Sequence, residues 1–390
     1  MPLALLALAV ATFAIGTTEF VIVGLIPEIG RSLSVSVPTA GLLVSLYALA
    51  ITLGTPIFSA LTARLPRRGL ILGLMAVFTL SNLAAALSPN YGSLLLSRLV
   101  MGVAHGVFFG AAATVATQLV PKHKSGSAVA VVMGGLTLAM VVGVPFGSWI
   151  GQLYSWRIPF LAVTAMGTVA LLALLWQLPR QIAHTAPAGF LAQLSLLGNR
   201  RLLGLYAVTA LGFGSSFVVF TFLAPLLTDV TGVSEAMVST ALMLFGGATV
   251  AGNLLGGRLA DRLGARNAML LVLLGLIVAL GAIPATVHSA HAMLVNVLVW
   301  GAFAFAIPPI MLSAVVGVAE VEAPEAVGTA SGFGIAAFNL GISGGAFLGA
   351  RLLAGPGLLV TPYAAIALAL AALLLVGTVM HTRPAVLRAA

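Results

Sequence analysis

The chain has 390 residues, 61% of them hydrophobic and only 6% charged, with no cysteine and a formal net charge of +9. Soluble domains carry about 25% charged residues, so a water-facing surface cannot be built from this composition. Without cysteine there are no disulfides, thiolate metal sites or cysteine nucleophiles.

A bilayer core about 30 Å thick needs roughly 20 apolar residues per helical span. Apolar runs read against loop signals predict spans at 3–27, 40–62, 69–88, 93–119, 126–151, 158–178, 202–228, 235–258, 267–287, 291–317, 327–353 and 360–380. The first run, Leu3 to Ile26, is too long for the apolar region of a signal peptide and has no basic segment before it. It reads as span one. The longest polar connection, Pro179 to Arg201, divides the chain into six-helix bundles at 1–178 and 202–390, with 179–201 as a cytoplasmic linker. The expected fold is an all-α membrane protein with twelve transmembrane helices in two pseudo-symmetric bundles.

The halves echo each other in sequence. Arg64-Leu-Pro-Arg-Arg-Gly69 after span two corresponds to Gly257-Arg-Leu-Ala-Asp-Arg-Leu-Gly-Ala-Arg266 after span eight, and Gly143 to Gly151 in span five resembles Gly341 to Gly349 in span eleven. Repeated halves around a midplane cavity are a transporter pattern.

An even number of spans puts both termini on one side. With that side cytoplasmic, thirteen basic residues fall in inside loops or the tail, among them Arg64, Arg67, Arg68, Lys122, Lys124, Arg200, Arg201, Arg383 and Arg388. Only Arg31, Arg157 and Arg351 fall outside, and the positive-inside rule selects this orientation. Glu320, Glu322 and Glu325 share an inside loop, but acidic residues contribute little to the rule. Basic residues dispersed over short loops also argue against nucleic-acid binding.

Charges inside a span are expensive, and two stand out: Glu19 in span one and Arg98 in span four. Glu19 lies eight residues before Pro27 and Arg98 eight after Asn90, so each sits about 12 Å in from the outer face and the two can share a level. Such a carboxylate can load and unload a proton as access alternates. The alternatives are an ion pair that locks the N-terminal half and, for Arg98, a side chain that reaches out to lipid headgroups.

His105, two helical turns after Arg98, suits a proton relay or a substrate contact, or is a satisfied core histidine. Phe108 and Phe109 follow it as candidate walls of an apolar substrate site, or as packing. Asn253 and Asn339 are isolated amides in spans eight and eleven that bridge helices or face the cavity. In span five, Gly143, Pro145 and Gly147 predict close helix approach and a bend where proline removes a backbone hydrogen bond. No G-x-x-x-x-G-K-[ST] phosphate loop is present, so the energy source is expected to be an ion gradient and no cofactor is expected. His288 and His291 lack acidic or thiolate partners, which argues against a metal site.

The motifs resemble the major facilitator superfamily over nearly the whole chain, and within it the twelve-span drug-and-sugar-efflux branch of proton antiporters that holds the AraJ-like and YdhP-like permeases. Gly16-Thr-Thr-Glu-Phe20 with Gly24-Leu-Ile-Pro27 matches that branch in span one. Ser97-Arg-Leu-Val-Met-Gly102 matches its arginine motif, and His105-Gly-Val-Phe-Phe-Gly110 its arabinose-efflux-like members. Gly143-Val-Pro-Phe-Gly147 looks like the antiporter glycine–proline signature, which favours export. The loop after span eight keeps the pattern at Gly257, Leu259, Asp261, Arg262 and Gly264, and the resemblance implies that such loops latch the outward-facing state. The loop after span two departs from it, with Ala63 for the acid and Pro66 for the glycine.

The resulting expectation is a monomeric multi-pass protein of the bacterial inner membrane that exchanges protons for a sugar, a nucleoside or an amphipathic drug. Glu19 and Arg98 would couple the proton. Proton-driven uptake is the alternative within transport, and a membrane-embedded enzyme acting on lipid is a remote one.

Overall fold

The computed structural model describes residues 2–62, 64–182 and 195–380. Most of the linker, Ala63, Arg383 and Arg388 lie outside the described residues. In hydrocarbon every backbone polar group must be satisfied within the protein, and a chain of this composition meets that demand with helices. The spans are α1 (Leu3–Leu33), α2 (Val37–Leu61), α3 (Arg67–Ala86), α4 (Tyr91–Gln118), α5 (Ser125–Leu153), α6 (Arg157–Gln177), α7 (Arg200–Phe220), α8 (235–263), α9 (265–286), α10 (Ala290–Glu322), α11 (Val327–Ala354) and α12 (Thr361–Val379). Past Phe220, α7 continues through a short turn to Val230.

Polar caps start several spans. Ser36 accepts from Thr39 at α2, Asn90 and Ser93 form a reciprocal capping box at α4, and Asn199 accepts from two backbone amides at α7.

Two boundaries differ from the sequence reading. Span one was expected to end at Pro27, yet α1 continues to Leu33. Its end is set by left-handed Ser34 (φ 55°), after which Val35 N–H bonds Gly30 O at 3.0 Å, so the proline is tolerated inside the helix. Between spans eight and nine no loop intervenes. Helix runs from both sides to Gly264, whose φ of 75° and ψ of 154° make the whole turn.

The glycine echo is an echo of packing. A side chain at Gly135, Gly143 or Gly151 of α5 would run into α1 at Ala9, Thr17 or Leu25 respectively. In the second half, one at Gly341, Gly345 or Gly349 of α11 would meet the α7 backbone at Ala210, Gly214 or Val218. Each half thus seats its fifth helix closely against its first, on the Ala9 carbonyl and the Thr17 and Leu25 side chains in the first half and on backbone in the second, the close packing that small residues permit in membranes.

The bend expected at Pro145 is a widened turn over Ala139–Gly143, where Val144 N–H bonds Ala139 O five residues back. Proline at 145 has no N–H and its ring crowds the carbonyl four residues before it, so the helix resets its register just ahead of the ring.

The halves meet through α2 with α11 and α5 with α8, partners related by the repeat. Ser45 Oγ donates to Ser343 O at 2.8 Å, Thr52 Oγ1 to Ala336 O at 3.4 Å, and Gly246 lies against the Met140 carbonyl. At the face opposite the termini, Arg31 pairs with Glu235 and Ser239 Oγ donates to Gln152 Oε1 at 3.2 Å. Toward the termini end, no hydrogen bond or ion pair joins the halves beyond Thr52 among the described residues. The structure is closed on the far face.

Candidate functional site

A buried polar cluster lies among α1, α2, α3 and α4. Arg98 is 0% exposed, its Nη1 donates to Thr18 O at 2.7 Å and its Nη2 to Glu19 O at 3.4 Å. Its guanidinium carbon lies 3.9 Å from the centre of the Tyr47 ring. Tyr47 Oη is 3.0 Å from His105 Nδ1, and the His105 ring packs on Phe109 with centroids 4.7 Å apart. On the other side Thr18 Oγ1 donates to Asn82 Oδ1 at 2.7 Å, and Asn82 Nδ2 to Phe78 O.

Equal depth therefore brings Arg98 to Glu19, but to its backbone. Helical carbonyls retain a second lone pair after their own hydrogen bond, and the arginine fork uses two of them. The Glu19 carboxylate, in a residue 8% exposed, has no hydrogen-bond or ion-pair partner among the described residues. The locking ion pair weighed from the sequence is not formed. Nor does Arg98 reach out to headgroups, since protein encloses it.

His105 is buried beside Tyr47 and Phe109, and Phe108 is buried at 1% exposure. Asn339 bonds its own helix at Ile335 O, 3.1 Å away, and its Oδ1 is buried without a partner. Asn253 is half-buried and bridges no helix among the described residues. Amides that do bridge helices among the described residues include Asn82, Asn296, whose Nδ2 donates to Ala279 O at 3.1 Å, and Gln152, whose Nε2 donates to Gly24 O at 3.2 Å.

Sequence reasoning missed Asn82, Asn296 and Tyr47, although an amide or phenol in mid-span was a legible signal for each. It also missed the aromatic wall of the second half. Phe213 packs edge-on against Phe305 and Phe338, and Phe217 reaches Phe20 across the halves at 6.3 Å.

Gly143 and Gly147 lie on the α1–α5 seam at Thr17 and Val21, with Pro145 between them. At the termini end of α8, Asp261 and Arg262 are exposed and form no ion pair among the described residues, and Gly257 borders open space. On the α2 side, Arg68 Nη2 donates to Leu175 O at 2.7 Å. Of the inside-loop acids, Glu322 is held by Arg201 at 2.6 Å and Asn199 at 2.8 Å. The far face holds a cavity of about 280 Å³ lined by both halves, with Glu28, Arg31, Gln152, Asp229 and Glu235 among its walls.

Two repeated six-helix bundles closed at one face, with a charged cluster buried at membrane depth, are the architecture of a polytopic membrane transporter. The chain belongs to the Major Facilitator Superfamily, which matches residues 8–346. It is 40% identical to the MFS-type transporter YtbD of Bacillus subtilis over 379 residues, 97% of this chain and 94% of that protein. It is 39% identical to the inner membrane transport protein YdhP of Escherichia coli over 95% of this chain and 94% of that one. A chloramphenicol resistance protein of Streptomyces lividans is 36% identical over 90% of each. The fold matches a bacterial homologue of the human lysosomal transporter Spinster, solved inward-facing and unoccupied, with a TM-score of 0.74 at 18% identity over 98% of both chains. The expected family, its efflux-permease branch and the all-helical fold therefore stand. Membership also removes the lipid-modifying enzyme: this is a transporter.

Proposed function

We propose that the chain exports a small molecule in exchange for protons, with Glu19 as the proton carrier and Arg98 as its charged neighbour. The observation that carries this is a membrane-depth carboxylate that has no partner among the described residues, beside a guanidinium that donates to backbone carbonyls. A carboxylate locked in an ion pair has little freedom to exchange a proton, and an unpaired one at a shifting access path has that freedom. Facing outward, Glu19 takes a proton as substrate leaves; facing inward, it releases the proton and substrate binds.

Export is favoured by the glycine–proline seam of α5 and by the name of the Streptomyces lividans relative. The cargo classes that fit an aromatic-walled path are amphipathic drugs such as chloramphenicol, with sugars such as arabinose and nucleosides also drawn from the family resemblance. The loop-charge bias supports cytoplasmic termini, the inner-membrane relative supports a bacterial inner membrane, and we read the working unit as a monomer.

The test is Glu19→Gln in proteoliposomes with an imposed pH gradient. The expected result is folded protein with gradient-driven efflux abolished; retention of full proton-coupled transport would remove Glu19 from the mechanism. Substrate moving with the imposed proton gradient instead of against it would replace export by uptake.

A further inference from the structure

The Arg98 guanidinium has two kinds of partner: the carbonyls of Thr18 and Glu19 on one side and the face of Tyr47 on the other. The carboxylate on the same residue as one of those carbonyls is left out. In a buried site this is unexpected, because a carboxylate and a guanidinium within reach of each other normally form a charge-assisted pair. Something must hold the guanidinium flat against the α1 backbone.

Tyr47 is the group placed to do so. It is 1% exposed, comes from a different helix, and lies along α4 with its ring over Arg98 and its hydroxyl on His105, residues seven positions apart. The hydroxyl contact fixes the ring in the orientation that presents its face. A ring face attracts the cation without competing for its in-plane N–H groups, so those stay free for the two carbonyls.

We infer that Tyr47 is a positioning residue of the coupling site: its ring keeps the Arg98 guanidinium off the Glu19 carboxylate, and His105 serves to orient Tyr47. This deepens, and rests on, the reading of Glu19 as the proton carrier. The spare carboxylate is then a product of aromatic packing from α2, the helix that also touches α11 across the halves at Ser45 and Ser343.

The experiment labels the detergent-purified full chain with dicyclohexylcarbodiimide, an apolar reagent that modifies accessible membrane carboxyls, and follows Glu19 by peptide mass. Wild type should label readily. Tyr47→Leu and Tyr47→Met remove the ring face, the guanidinium relaxes onto the carboxylate, and labelling slows by about fivefold or more because its oxygens are now engaged. Met is included because its flexible side chain fills the gap with less disruption. Tyr47→Phe keeps the face but loses the His105 contact that orients it, so it should label between wild type and Tyr47→Leu. Adding Arg98→Ala to Tyr47→Leu removes the competing cation and should restore the rate.

Wild-type labelling in both the Leu and Met variants would overturn the assignment. So would a loss in Tyr47→Phe as large as in Tyr47→Leu, since the hydroxyl and not the face would then be what matters. The labelling reads the position of the guanidinium whether or not Glu19 carries protons. Failure of the proton-carrier reading shows separately, as gradient-driven transport retained by Glu19→Gln.

Discussion

Arg31 of α1 and Glu235 of α8 join the two halves across the far face, with Nη2 and Oε1 2.9 Å apart and a second contact from Arg31 to Glu28 at 3.2 Å. Both partners of the cross-half pair are well exposed, with side chains 64% and 47% accessible. Exposed pairs contribute about 0–1 kcal/mol, so Glu235→Gln should shift the balance between far-face-closed and far-face-open states by about fivefold at most. Distances between spin labels on the far-face loops report that balance. Added salt should shift wild type in the same direction; a wild-type distribution indifferent to salt would mean the pair does not hold the face shut.

Gly246 and Gly345 separate closure from stability. A methyl at Gly246 would strike the Met140 carbonyl across the halves, whereas one at Gly345 would strike Gly214 within the second half. Overpacking costs about 1–3 kcal/mol. Gly246→Ala should therefore open the far face with little change in melting temperature, and Gly345→Ala should lower melting temperature with little change in the spin-label distances. The reverse assignment would show that the Gly246 contact is not the closing seam.

At Pro145, substitution by leucine returns a backbone N–H to α5 and lets the widened turn at Ala139–Gly143 close to ordinary helix. The seam of Gly143 on Thr17 and Gly147 on Val21 is then out of register. Transport should fall while insertion and yield persist. Unchanged transport rates would reduce Pro145 to a tolerated kink.

Gly264 turns α8 into α9 with backbone angles open almost only to glycine. Gly264→Ala should cost about 1–3 kcal/mol and lower the thermal midpoint, although a side chain there meets open space. A variant as stable as wild type would mean the turn is remade at another residue at no cost.

Arg98→Lys keeps the charge but loses the planar fork that serves two carbonyls and a ring at once. The pH profile of substrate-induced proton release should differ from wild type for Arg98→Lys and more so for Arg98→Ala. Three superimposable profiles would leave Arg98 a structural residue.

The sequence by itself determined the solvent, the helical class, twelve spans in two repeated halves and the family, because apolar run length, glycine spacing and motif residues are local properties. It also isolated Glu19 and Arg98, since a charge inside an apolar run is visible without coordinates. Helix ends were less legible: Pro27 looked like a terminus and Gly264 like part of a loop, whereas each end was decided by one backbone conformation. Which partner a buried group takes was decided only by tertiary structure. Depth placed Arg98 level with Glu19, but rotation of α1, α2 and α4 about their axes set its partners as two carbonyls and the face of Tyr47. The same rotations left Asn339 Oδ1 unpaired among the described residues and gave bridging roles to Asn82, Gln152 and Asn296. A single helix is periodic and its depth can be counted, but its neighbours come from other parts of the chain, and only packing chooses them.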